Sequence, residues 1–193
     1  MSNSVTVKFE GIQYRLCRNW NKLIPFSEFE NKPVNYLEIG TFYGANVIDF
    51  VSFYGKNDST MCYCIDPWID YDDYCEYKGE QDKIYNGFIK NIDHIKNKVS
   101  IRRGYSNEQV PLFQDDFFDI IYIDGNHWPE YALEDAVLSF RKLKVNGYMV
   151  FDDYVPGNQF DTARGIDGFI KGYSRKIKIL GIQDNQYFIQ KIN

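Results

Sequence analysis

The chain has 193 residues, of which 44% are hydrophobic and 25% charged, and its formal net charge is −5. This length predicts one domain with a sizeable core, and the negative charge argues against a nucleic-acid substrate because polyanions are bound by positive surfaces. The polar N-terminus does not resemble a secretory signal, and no stretch approaches the ~20 apolar residues of a membrane helix.

Residues 1–33 are expected to form an N-terminal lead-in or cap segment, with a short helix between Asn19 and Phe29. Residues 34–193 are expected to form one domain, because strand and helix patterns alternate from Val34 onward. This alternation predicts a mostly parallel sheet with helices on both faces. Strands are predicted at 34–39, 61–65, 99–102, 118–123, 148–151, 176–182 and 187–192, the last two joined as an antiparallel hairpin.

The predicted helices follow the first, second, fourth and fifth strands. They span 45–54, 81 to about 95, a segment that starts near Pro129, and the region of Ile166 to Tyr173. A short helix or turn is expected after Gly104, and Asn146-Gly147 is expected to form the turn into the fifth strand.

Four cysteines could form two disulfides or a zinc site. Cys62 and Cys64 alternate within a predicted strand, so both point to one face, and no C-x-x-C pair or Cys/His cluster indicates zinc. We therefore expect Cys17, Cys62, Cys64 and Cys75 to be free thiols in a reducing compartment, the cytoplasm of the producing cell.

The turn after the first strand has the sequence E-x-G-x-x-x-G over residues 38–44. Glycine lets a backbone approach a ligand closely, and a helix start offers free N–H groups. Dinucleotide-binding turns read G-x-G-x-x-G, whose middle glycine makes room for a pyrophosphate. Here Thr41 and Phe42 partly fill that room, which suits a cofactor without phosphates. The motif resembles the first motif of class I S-adenosylmethionine (SAM) methyltransferases, and an ordinary βα turn is the alternative. The resemblance implies cofactor contacts from Glu38, Gly40, Thr41, Phe42, Gly44 and Asn46.

Ligands of open α/β sheets bind beyond the carboxyl ends of the strands. Asp66, after the second strand, could accept hydrogen bonds from both ribose hydroxyls of an adenosine cofactor, or could instead cap the loop before Pro67. Trp68 could stack on the adenine or could pack into the core. By resemblance, Ser106 lies where these enzymes contact the adenine ring, although Gly-Tyr-Ser is also a normal turn.

The most specific signal pairs Asp124-Gly-Asn-His127 with Asp152-Asp153-Tyr154. These boxes resemble those of metal-dependent small-molecule and sugar O-methyltransferases, relatives of catechol O-methyltransferase and of the macrolide and aminocoumarin sugar methyltransferases. The resemblance covers roughly 34–172 and implies a Rossmann-like fold, a seven-stranded sheet ending in the hairpin, and frequent dimers. It also implies Mg²⁺ ligands at Asp124, Asp152 and Asp153.

Elementary electrostatics supports a metal at this place. Three converging carboxylates raise one another's pKa, which a divalent cation relieves, and oxygen ligands favour Mg²⁺ or Ca²⁺ over zinc. The alternative without metal is that Asp152 and Asp153 cap the next loop while Asp124 binds backbone amides.

The catalytic candidates lie in the same boxes. His127 could act as general base, hold the cofactor beside Asp124, or orient the loop through a backbone carbonyl. Some metal-dependent sugar methyltransferases have a catalytic acid where this chain has Asn126, whose amide cannot take a proton. The base is then His127 or metal-bound hydroxide, or the mechanism differs.

The leading hypothesis is a SAM-dependent O-methyltransferase that acts on a hydroxyl of a small molecule or glycan, assisted by Mg²⁺. The segments 68–77 and 154–164 are expected to line the acceptor pocket. A SAM-binding module without turnover, motivated by Asn126, is one alternative. A nicotinamide-dependent sugar-modifying enzyme is another, disfavoured by the absent G-x-G-x-x-G. Relatives occur in bacteria and in large DNA viruses, so a viral origin is open.

Overall fold

The computed structural model describes residues 8–14, 17–71 and 76–193. Cys75 and the middle of the loop 68–77 therefore lie outside the described residues. The strands are β1 (Asn35–Ile39), β2 (Met61–Asp66), β3 (Val99–Arg103), β4 (Phe118–Ile123), β5 (Leu143–Phe151), β6 (Ile177–Gln183) and β7 (Gln186–Lys191). The helices are α1 (Ala45–Phe53), α2 (Gln81–Asn91), α3 (Ser106–Gln109), α4 (Pro129–Lys142) and α5 (Thr162–Tyr173).

The strands form one seven-stranded sheet in the order β3-β2-β1-β4-β5-β7-β6. The pairs β3–β2, β2–β1, β1–β4 and β4–β5 are parallel, whereas β7 pairs antiparallel with both β5 and β6. The predicted Rossmann-like architecture with a closing hairpin is confirmed. The chain reverses its direction of winding between β1 and β4, so their carboxyl ends are the expected ligand site.

Each face of the sheet carries its own hydrophobic cluster, because the buried strands present apolar side chains to both sides. On one face Phe50 of α1 and Phe88 of α2 pack with Trp20 from a 3₁₀ helix, Cys17–Lys22. On the other face α4 and α5 contribute residues such as Phe140 and Phe169. The N-terminal segment thus supplies a fully buried tryptophan to the core of the sheet.

Two local predictions are wrong. β5 begins at Leu143 rather than at Tyr148, and Asn146-Gly147 lies within it at a register irregularity, where Phe118 pairs with Leu143 and Ile120 with Tyr148. Asn146 has a φ of 68°, so a bulge, which the sequence signals like a turn, explains the difference. The helix predicted to run to about 95 ends at Asn91, and a 3₁₀ helix follows.

The thiols match the expectation where the structure describes them, since Cys17, Cys62 and Cys64 are free and buried. Within the described ranges, no helix combines the length and apolar character that crossing a membrane requires.

Candidate active site

A cavity of about 640 Å³ opens at the carboxyl edge of the parallel strands. Its volume is in the range of small-molecule and cofactor sites. The cavity brings together side chains and turns that follow β1, β2, β3, β4 and β5. Of the residues singled out from the sequence, those that line it are Gly40, Phe42, Asp66, Ser106, Asp124, Asn126, His127, Asp152 and Asp153.

Gly40 holds the ends of β1 and β4 together. Its φ is +81°, and a Cβ atom there would lie 1.8 Å from the backbone oxygen of Asp124. The Gly40 N–H donates to the Ile65 carbonyl at 2.9 Å, and the Asp124 N–H donates to the Ile39 carbonyl at 2.8 Å. Glycine is therefore required at position 40 because the two backbones approach so closely. The turn that results forms part of the cavity lining.

Asp66 stabilises the turn beside Gly40. Its carboxylate accepts the backbone N–H of Phe42 at 2.9 Å and of Trp68 at 2.8 Å. Both residues have positive φ, 53° and 45°, a conformation that costs a side-chain-bearing residue roughly 1–2 kcal/mol. Burial raises the pKa of Asp66 to about 6, although the backbone N–H donors act in the opposite direction. The backbone of Thr41 also binds this carboxylate. A carboxylate has about four acceptor positions, so about one remains for a ligand.

The interpretation of Trp68 as an adenine-stacking residue is wrong. Its side chain is 1% exposed and does not line the cavity. The indole stacks on Phe88 with ring centroids 4.8 Å apart and donates through Nε1 to the Phe42 carbonyl at 3.1 Å. Trp68 is thus a core residue, the other interpretation left open above.

Glu38 also lies beneath the cavity rather than in its lining. The carboxyl group is 1% exposed, accepts the hydroxyl of Tyr36 at 2.6 Å and lies 3.2 Å from the Asn46 amide nitrogen. The Asn46 side-chain oxygen accepts the Cys17 N–H at 2.8 Å. Burial raises the pKa of Glu38 to about 8. Glu38 and Asn46 therefore join β1, α1 and the N-terminal segment, and neither side chain lines the cavity.

Thr41 and Gly44 are likewise outside the lining. Thr41 is buried, and Gly44 adopts a left-handed conformation directly before α1, where a Cβ atom would meet Phe88 at 2.8 Å. The second glycine of the motif thus serves helix packing. Of the motif's expected contacts, Gly40 and Phe42 are the two that reach the cavity.

Asp124, His127 and Asp153 form a cluster at the rim of the cavity. Each offers one ligand atom, and these atoms lie within 4.8 Å of one another. Nε2 of His127 is 3.1 Å from Oδ2 of Asp153 and 3.5 Å from Oδ1 of Asp124. Asp153 has a φ of 53°, which turns its side chain away from the direction that a continued strand would give it.

The pKa values of this cluster depend on charge and burial together. Burial and then the charge of Asp152 raise the pKa of Asp124 to about 7. Burial alone would lower the pKa of His127. The interaction with Asp124 and the charge of Asp153 outweigh that effect and raise the pKa of His127 to about 9. Without another cation, the imidazolium is the positive charge that this group of carboxylates holds.

Asp152 differs from the expected ligand set. Its carboxylate is 5% exposed, Oδ2 accepts the Tyr122 hydroxyl at 2.8 Å, and Oδ1 accepts the Asp153 N–H at 2.8 Å. His127 rather than Asp152 completes the three-residue cluster. The sequence could not show this, because the two adjacent acids differ only in backbone conformation.

Two contacts hold the loop that carries His127. The side-chain oxygen of Asn126 accepts the Trp128 N–H at 3.0 Å, and the hydroxyl of Thr162 donates to the His127 carbonyl at 2.7 Å. Asn126 thus shapes the entry to α4. Phe160 packs against the His127 ring with centroids 5.7 Å apart, although no described residue of the segment 154–164 lines the cavity as expected.

The segment 68–77 lines the cavity as expected, through described residues that include Glu76 and Tyr77. Glu76 lies with Oε2 3.8 Å from Nδ1 of His127. Two further lining residues, Asp135 and Tyr14, were missed from the sequence. Asp135 is buried on α4, where burial raises its pKa to about 7 and the Ser106 hydroxyl binds it. An acid on the apolar face of a predicted helix was the available signal for Asp135. Tyr14, from the N-terminal segment, also lines the cavity.

Comparison with known families supports the same class. The sequence from residue 37 to 154, more than half of the chain, matches the model of a family described as a methyltransferase domain. The chain belongs to this family. Fold and family together define a class I SAM-dependent methyltransferase, as the resemblance predicted, with SAM as its cofactor.

The individual proteins that this chain resembles share less than a third of their aligned residues with it. The chain is 29% identical over 134 residues to uncharacterized protein R132 of Acanthamoeba polyphaga mimivirus, a match covering 65% of this chain and 54% of that protein. The O-methyltransferase NovP superposes with a TM-score of 0.67 at 15% identity, over 91% of this chain and 79% of that one. MycE methyltransferase from the mycinamycin biosynthetic pathway, in complex with Mg and SAH, superposes with a TM-score of 0.61 at 16% identity. This match covers 91% of this chain and 49% of that one. The chain thus spans about half the length of R132 and MycE, and these structural likenesses concern the fold.

Proposed function

We propose that this protein transfers the methyl group of SAM to a hydroxyl of a small molecule or sugar, assisted by Mg²⁺. The observation that carries the proposal is the cluster of Asp124, His127 and Asp153 at the rim of a cavity that begins at the Gly40 turn. A methyl donor in the cavity and a hydroxyl at the cluster would then be neighbours, which is the arrangement that in-line transfer requires.

The cavity fits SAM in its volume and in its donor set. The Gly40 turn would border the methionine part, and Asp66 keeps about one acceptor position for a ribose hydroxyl. Ser106, bound to Asp135, would border the adenine. The N-terminal segment would act as a cap over the cavity, which the position of Tyr14 in the cavity lining supports.

The cluster fits a hard divalent cation. Carboxylate oxygens of Asp124 and Asp153 would hold the cation, and they are the ligand type that Mg²⁺ prefers. When bound, the cation would lower the pKa of the acceptor hydroxyl and fix its orientation. The fold shared with MycE, whose structure contains Mg and SAH, agrees with this assignment.

His127 is the proposed general base. The carboxylates Asp124 and Asp153 raise its pKa, and it would therefore be protonated while their charge is uncompensated. Once a divalent cation compensates that charge, the imidazole would lose its proton and could accept the one that leaves the hydroxyl. Asn126 would take no part in proton transfer, because its amide holds the Trp128 N–H.

Calorimetric titration with SAM, followed by mass spectrometry of reactions with diols and sugars, tests this function. We expect SAM to bind at submillimolar concentration and turnover to stop on addition of EDTA and to return with excess Mg²⁺. No SAM binding would reject the proposal. Turnover insensitive to EDTA would reject the metal alone, and SAM binding without turnover of any diol or sugar would favour a binding module.

A further inference from the structure

Three aromatic rings form a wall on one side of the cavity, supplied by Tyr14, Phe42 and Tyr77. Phe42 stacks with Tyr14 at a centroid distance of 6.4 Å and lies 4.8 Å from the Tyr77 ring. The hydroxyls of Tyr14 and Tyr77 are 3.0 Å apart, which holds the two rings together. Ring faces of this kind attract cations and also stack on apolar ligand surfaces.

A carboxylate stands beside this wall. Glu76 directly precedes Tyr77, lines the cavity, and places Oε2 3.8 Å from Nδ1 of His127. Asp124 and Asp153 approach the other nitrogen of the same imidazole. Glu76 therefore approaches the imidazole nitrogen of His127 opposite the one that faces those two carboxylates. A carboxylate next to aromatic faces is a combination that recognises protonated amines.

The charge of the cavity lining also favours a cationic acceptor over an anionic one. Among the residues that the structure describes, the lining contains no lysine and no arginine. Eight carboxyl side chains line the cavity: Asp66, Glu76, Glu108, Asp124, Glu134, Asp135, Asp152 and Asp153. SAM carries one sulfonium, one ammonium and one carboxylate, so SAM and a divalent cation would together bring a net charge of +3 into the cavity. A phosphate or carboxylate on the acceptor would therefore meet like charge.

We propose that the acceptor is a hydroxyl compound that carries a protonated amine and no anionic group, and that Glu76 with the wall of Tyr14, Phe42 and Tyr77 forms the subsite for the amine. This inference rests on the proposed methyl transfer at the same cavity. It excludes phosphorylated sugars, nucleotide-activated sugars and acidic phenols as good acceptors, and it favours amino sugars and amino alcohols.

Three catechols of different charge test the inference on the protein loaded with S-adenosylhomocysteine (SAH) and Mg²⁺. Dopamine, 4-methylcatechol and 3,4-dihydroxyphenylacetate share the pair of hydroxyls that can chelate a cation and differ mainly in the charge of their substituent. In calorimetry we expect dopamine to bind about tenfold or more tightly than the acid, with the neutral compound between them. Equal or tighter binding of the acid, or no binding of any of the three, would overturn the inference.

Matched variants locate the amine subsite. Glu76→Gln should reduce the affinity for dopamine to that for 4-methylcatechol, whereas Glu80→Gln, an exposed acid of the same region that pairs with Lys83, should leave the ratio unchanged. A full preference for dopamine in Glu76→Gln would overturn the assignment of Glu76. Titration of SAH in the same preparations separates the two proposals, because failure to bind SAH rejects methyl transfer itself and an inverted charge order rejects only the amine.

Discussion

The hydroxyl of Tyr122 donates a hydrogen bond to Oδ2 of Asp152 over 2.8 Å. The same hydroxyl lies 3.1 Å from Oδ2 of Asp124, so one buried phenol on β4 fixes carboxylates at the ends of two neighbouring strands. Asp152 in turn accepts the N–H of Asp153. Removal of the phenol oxygen would therefore loosen the carboxylates that the proposed cation needs.

Tyr122→Phe tests this relationship. We expect the affinity for Mn²⁺ to fall by about tenfold, as is typical when a group that orients metal ligands is lost, while the affinity for SAH stays within about twofold. Tyr54→Phe is the matched control, since Tyr54 is also buried and donates its hydroxyl to the Ile24 carbonyl at 2.8 Å, away from the cluster. Both variants should lose roughly 1–2 kcal/mol of unfolding free energy. Equal Mn²⁺ affinities in the two variants would contradict the assigned role.

Asp153→Asn should separate metal binding from cofactor binding. Asparagine tolerates the left-handed backbone at this position, so the fold is retained while the ligand loses its charge. We expect turnover to fall by about a hundredfold or more and SAM affinity to change by less than about threefold. Asp184→Asn, at a hairpin residue with a φ of 52°, controls for the backbone. Similar losses of turnover and SAM affinity would contradict the assignment of Asp153 to the metal rather than to SAM.

Gly40→Ala should displace the loop after β4, because the new Cβ would meet the Asp124 carbonyl at 1.8 Å. We expect a loss of about 3 kcal/mol or more of unfolding free energy, measured by urea denaturation, together with loss of SAM binding. Gly157→Ala is the control, since Gly157 has a φ of +80° and nothing within 4 Å of an added Cβ. It should lose only about 1–2 kcal/mol, the cost of the backbone conformation. Similar losses in both would mean that the close approach is unimportant.

Stability should fall with rising pH because of Glu38. Burial raises its pKa in the folded protein from 4.5 to about 8, so the folded state holds the proton more tightly than the unfolded chain does. The contribution of Glu38 is complete below about pH 4.5 and is lost as the pH rises through about 8. The unfolding free energy of Glu38→Gln, compared with that of the unmodified protein at the same pH, should therefore increase as the pH rises from about 5 to about 9.

Urea denaturation of both proteins across that range measures the effect. The exposed Glu30, replaced by Gln, provides the control and should follow the unmodified protein at every pH. A difference between Glu38→Gln and the unmodified protein that stays constant with pH would show that Glu38 is ionised in the folded state.

The sheet could be predicted from the sequence because its signals are local and repeated. Buried strands such as Phe118–Ile123 are nearly continuous apolar runs, and acids or glycines follow each one. Parallel strands place those residues at one edge, which is why Asp66, Asp124 and Asp153 were correctly placed around one cavity. Asn146-Gly147 misled because a bulge inside a strand and a turn before it use the same residues.

The side-chain partners could not be predicted in the same way. Whether Trp68 faces the cavity or the core depends on a φ of 45°, and whether Asp152 or Asp153 faces the cluster depends on one peptide unit. Glu76 and Tyr14 reach the cavity from loops without a periodic pattern. Glu38 looked like a ligand contact because of its motif, yet its partners Tyr36 and Asn46 satisfy it within the core.

Diffraction from a crystal soaked with SAH and Mn²⁺ tests the central claim most directly. We expect SAH in the cavity along the Gly40 turn and Asp66, and an anomalous Mn²⁺ peak at a site bound by carboxylate oxygens of Asp124 and Asp153, next to the SAH sulfur. A Mn²⁺ peak elsewhere with no density between these two aspartates, or SAH bound away from the Gly40 turn, would contradict it.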